Sequence, residues 1–182
     1  MKGITVSTVS SPVRATLGIL LLVLVQLIWF AQVCSASGEG DRCHQVRAKE
    51  HAVRVTEGCT SPVGFCVEGV ISGGGWINGK TNATISGLAP SVGLPGIEPE
   101  TTLSAAGDRT IVTSHGTLNL RFTAVFDTAR GEFSELLRVT NGTGKFIGAT
   151  GTLYLTGRLS ADGISIESDV TGEVCLAGSA KE

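Results

Sequence analysis

The chain has no run of like charge and no basic amphipathic helix, and both absences narrow its partners. Adsorption to anionic lipid uses one or the other. Nucleic acid calls for a basic surface, and here the balance runs the opposite way. All 16 acidic residues lie after Ala36 and two of the 14 basic ones before it, so the part after Ala36 carries a net charge of −4. There is no Gly-x-Ser-x-Gly elbow, and no serine has a histidine and an acid in a recognisable context. Cys-x-x-Cys is missing too, so a metal site drawn from Cys43, His44, His51, Cys59 and Cys66 would have to form without zinc-finger spacing. No metal or other cofactor is read from the sequence.

Long apolar runs are confined to one place. After Lys2 and Arg14 the uncharged stretch from Leu17 to Val33 is followed by the small residues of "CSASG", the order of a secretory signal. Cleavage is expected after Ala36, and residues 1–36 are read as a signal peptide. The run 17–33 is also long enough to serve as an uncleaved anchor, and acylation of Cys34 is a further alternative, against which Val33 stands where a small residue is required. Either way residues 37–182 form one domain outside the cytoplasm, secreted or held at the membrane by the N-terminal segment alone.

Removal of Cys34 leaves Cys43, Cys59, Cys66 and Cys175, an even set in an oxidising compartment. Four cysteines allow three pairings. The preferred one joins Cys59 to Cys66 across "CTSPVGFC" and Cys43 to Cys175, tying the first strand to the last.

Helical periodicity is almost absent after Ala36, and alternation takes its place. Leu118, Leu120, Phe122, Ala124 and Phe126 share one face of a strand opposite Thr117, Asn119, Arg121 and Thr123. Ile164, Ile166, Val170, Val174 and Leu176 form the apolar face of another. Further strands are predicted over 44–57, 66–72, 76–87, 108–114, 132–139 and 151–159. Short links such as "SHG", "DTARG" and "SADG" suit hairpins. The exception is 88–107, which holds three of the five prolines and reads as a lid, a binding loop or a plain surface connection. About eight consecutive antiparallel strands predict a closed all-β barrel. Gly142, Gly144, Gly148 and Gly151 then mark bends and close approaches in it. Their spacing fits neither a dinucleotide fingerprint nor a nucleotide P-loop.

The run "GEFSELLRVTNGTGKFIGATGTLYLTG", with "CTSPVGFC" and the closing "VTGEVCL", resembles exported bacterial proteins of the allene oxide cyclase barrel-like group. Its GTGxFxxAxG core is similar to that of plant dirigent proteins. The resemblance covers 122–176 closely and 59–87 more loosely. It implies an eight-stranded antiparallel calycin-type barrel with an apolar lumen, trimeric in the plant relatives, which guide oxylipin cyclisation or phenoxy coupling.

Candidate lumen residues are Phe122 and Leu153, each on the apolar face of its strand, and Glu135 is the candidate polar group. Glu135 shares its side with Phe133, Leu137 and Val139, where a carboxylate is costly unless it is paired or functional. Pairing with Arg138 or contact with water is the alternative. Arg121 reads as solvated, His115 as a turn residue, and His44 and His51 as facing opposite sides of one strand. Trp76 is expected to cover a barrel end or to touch a ligand. Three functions remain open: binding of a small apolar ligand in the lumen, a structural or cell-surface role with a filled barrel, and a cyclase- or dirigent-like guide.

Overall fold

The computed structural model describes residues 42–91 and 101–178. The signal or anchor read at 1–36 lies outside the described residues, as does 92–100 of the proline-containing connection. Eight strands follow in order: β1 (Arg42–Val55), β2 (Cys66–Ser72), β3 (Gly79–Pro90), β4 (Thr102–Thr113), β5 (Gly116–Asp127), β6 (Glu132–Gly142), β7 (Thr150–Leu159) and β8 (Ser165–Leu176). Each pairs antiparallel with its neighbours, and β1 also pairs with β8, so the meander closes into a barrel without a free edge.

Alternation explains which face is buried. Val46, Ala48 and Ala52 of β1 and Leu118, Leu120, Phe122 and Ala124 of β5 point inward. Arg121 points out and meets Asp108 at 3.6 Å on the exposed surface. Cys43 bonds Cys175 across the β1–β8 seam, where the two are register partners, and Cys59 bonds Cys66 at the start of β2. The cysteines of the metal alternative are thus committed to bridges.

Three expectations need correction. The connection predicted over 88–107 is shorter, because Leu88 to Pro90 still pairs with Leu103 to Ala105. Pro90 is tolerated because it stands at the strand end, and the small inward residues Ala105 and Gly107 had blurred the alternation. The strand expected from 76 begins at Gly79, since Gly75–Ile77 is a 3-10 turn. Ile164 is 52% exposed, because it belongs to the turn before β8 and escapes that strand's inward face.

The two barrel ends differ. At one, Ile77 and Phe146 are fully buried and Trp76 packs between His44 and Phe146, with ring centroids 5.5 and 5.7 Å away. Gly144 shapes this plug: its φ is +59°, and a Cβ there would lie 2.3 Å from the carbonyl oxygen of His115. Gly148 and Gly151 share its positive φ, while at Gly142 a Cβ would meet the Phe146 Cβ at 2.5 Å. Above the plug Val46, Ile111, Leu118, Leu120, Leu137 and Leu153 fill the lumen. Among the described residues the opposite end carries no such plug, and a cavity remains there.

Candidate functional site

The open half of the barrel holds a cavity of about 500 Å³. Its walls are apolar, from Val67, Ala83, Ile85, Phe122, Phe133 and Ile166 among others. Small inward residues leave this space: Ala83 and Ala105 line it where larger side chains fill the other half. Glycine adds to it. Phe122 lies across Gly107, its register partner, so closely that a Cβ there would sit 2.8 Å from the ring, and Phe133 lies likewise across Gly157. The mouth is bounded by Arg54, stacked 4.0 Å over Phe65, and by the turns at 127–131 and 160–163. Leu88 and Leu103, from the two ends of the 91–101 connection, also line it.

Polar chemistry enters the interior through inward positions of five strands. Arg109 of β4 is 3% exposed and bonds two carboxyls, Glu50 of β1 through Nη1 and Glu135 of β6 through Nη2, the latter at 3.0 Å. Thr81 Oγ1 of β3 donates to Glu50 Oε1 at 2.6 Å, and Ser168 Oγ of β8 donates to Glu50 Oε2 at 3.1 Å. Arg109 and Glu135 also line the cavity, so this cluster is its polar floor. Arg109 Nε is buried without a partner among the described residues. Such an orphan donor costs about 1–3 kcal/mol.

The electrostatics follow from burial against pairing. Burial opposes the charge on Arg109, but the carboxylates of Glu135 and Glu50 outweigh it and hold the guanidinium above its usual range. For Glu135 burial is the largest influence and raises the carboxyl. Arg109 works against that, Glu50 adds to it, and the result stays above the ordinary carboxylate range.

Phe122 therefore lines the cavity, and Glu135 stands at its floor. Leu153 is fully buried deeper down, in the filled half, and is not among the lining residues. The partner of Glu135 is Arg109 and not Arg138, which points outward from β6 and is exposed. Trp76 and His44 lie at the plugged end, away from the cavity, and His51 and His115 are exposed. Glu50, Arg109, Thr81 and Ser168 were missed by sequence reasoning. Glu50 had a signal: it alternates with Val46, Ala48 and Ala52, on the side that must be dry. Arg109 alternates with Ala105, Gly107 and Ile111, a weaker pattern. Comparison with known proteins finds no family model that matches the chain and no match among curated proteins.

Proposed function

We propose that this is an exported barrel that binds a small, largely apolar ligand in the open half of its lumen. The observation that carries the reading is a cavity of about 500 Å³ with apolar walls and a convergent polar floor of Arg109 and Glu135. That volume lies within the range of small-molecule sites, and so does the combination of greasy walls with few polar groups. A barrel kept only as a structural body would gain stability by filling this space, as the other half is filled. The allene oxide cyclase barrel-like resemblance, export through residues 1–36 and assembly into trimers belong to the same proposal. The two disulfides are compatible with an extracytoplasmic compartment.

Titration calorimetry and thermal unfolding with a panel of apolar ketones, phenols and fatty acids test the reading. Binders are expected to raise the melting temperature and to bind with a negative heat-capacity change, because apolar surface leaves water. A melting temperature that no member moves, with no heat of binding, would sink it.

A further inference from the structure

At the cavity floor two carboxyls share one guanidinium. Glu50, Arg109 and Glu135 are all buried, and with both carboxyls ionised the three carry one negative charge in excess, which a dry site resists. The two carboxyls are not equally occupied. Both oxygens of Glu50 accept, from Arg109, Thr81 and Ser168. Glu135 accepts only at Oε2, from Arg109 Nη2 at 3.0 Å, and Oε1 has no partner among the described residues. That oxygen is not sealed in. Among the described residues Arg109 Nε alone is a fully enclosed side-chain nitrogen or oxygen without a partner, so the equally unpartnered Oε1 keeps accessible surface. Glu135 is 7% exposed, alternates with Phe133 and Leu137 on the inward face of β6 and lines the cavity, so this surface opens into the lumen. Its register partners, Ala124 on β5 and Leu155 on β7, offer it no polar side chain.

What surrounds the free oxygen favours a cation. Phe122 and Phe126 flank Ala124 on the inward face of β5, and Phe133 precedes Glu135 on that of β6. With Phe65 they put four of the chain's six phenylalanines on the cavity wall, where ring faces attract a cation and repel an anion. Arg109 is already bonded to both carboxyls, while exposed Arg54 and the Asp127–Arg130 pair, 3.1 Å apart, lie at the mouth. We propose that Glu135 Oε1 anchors a protonated amine, so that the occupant is an apolar primary or secondary amine with its ammonium group at the floor and its hydrocarbon body against the phenylalanines. The inference rests on the lumen being a ligand pocket. An ammonium group supplies both the missing positive charge and an N–H donor. A hydroxyl donates to the same oxygen but leaves the charge unbalanced, a carboxylate adds a further negative charge, and a hydrocarbon leaves Oε1 unpartnered. The raised Glu135 carboxyl fits the same deficit: burial favours its neutral form, Arg109 opposes that and Glu50 adds to it, so a proton balances the empty floor and an ammonium group takes its place.

The test uses the disulfide-intact protein and four matched probes: naphthylmethylamine, naphthalenemethanol, methylnaphthalene and naphthoate. In titration calorimetry at about pH 7, where the amine is protonated and naphthoate ionised, the amine is expected to bind at least roughly tenfold tighter than each of the others. Glu135→Gln keeps the shape of the side chain and removes its charge, so the ratio of amine to methylnaphthalene affinity should collapse in that variant. Methylnaphthalene or the carbinol binding as tightly as the amine would overturn the inference and leave the pocket reading standing. Naphthoate matching or exceeding the amine would do the same and move the polar anchor to Arg54 at the mouth. A folded Glu135→Gln protein that keeps the full advantage of the amine would also overturn it. Binding of none of the four would remove the pocket reading and this inference together. The wild-type comparisons decide without the variant.

Discussion

Replacing Arg109 by methionine keeps most of the side-chain length and removes the cation that bonds both Glu50 and Glu135. Glu50 would retain Thr81 and Ser168 as donors, whereas Glu135 would retain none among the described residues. Breaking a buried ion pair from one side costs about 3–5 kcal/mol, a large part of the roughly 5–15 kcal/mol that holds a domain together. Urea unfolding at about pH 7, disulfides intact, measures the loss against wild type. A variant within about 1 kcal/mol of wild type would refute the charge-cluster argument. Replacing Glu50 and Glu135 by leucine together with Arg109→Met should restore stability, because no buried charge is then left unpaired.

Gly144→Val should cost more than Gly58→Val: both positions have positive φ, but only at Gly144 does a Cβ meet backbone, 2.3 Å from His115 O, while nothing lies within 4 Å at Gly58. A gap of about 1–3 kcal/mol is expected in thermal unfolding, and equal losses would show that Gly144 is not a packed corner. Opening the Cys43–Cys175 bridge, with a sequence separation of 132, should cost about 5 kcal/mol by loop entropy, against about 2.5 for Cys59–Cys66, with its separation of 7. Paired serine variants in urea check the order, and a larger loss at Cys59–Cys66 would contradict it. Leu153→Ala should lose about 2–5 kcal/mol yet leave probe affinity unchanged, whereas Phe122→Ala should alter affinity because Phe122 lines the cavity. Calorimetry on both variants separates the two roles, and an affinity change at Leu153 alone would reverse the assignment.

Much of the barrel is written locally. Period-two alternation in 116–127, glycine and Asx residues in the hairpin links and cysteines near both chain ends of the domain need only near neighbours to be interpreted. Strand count, closure and both bridges were accordingly legible in the sequence. Where inward residues are small, as at Ala105 and Gly107, the contrast on which alternation relies fades, and β4 looked shorter than it is. Glu135 stood out because it interrupts a strongly apolar face.

Its partner could not be read the same way. Arg109 and Glu50 are separated from Glu135 by 26 and 85 positions, and they meet only because closure turns β1, β4 and β6 toward one axis. Which half of the lumen is filled was equally hidden, since Phe122 and Leu153 have the same local pattern but different depths. A strand's sequence determines which side faces inward. Which side chains converge across the interior, and whether space remains between them, is decided by the registers of all eight strands at once.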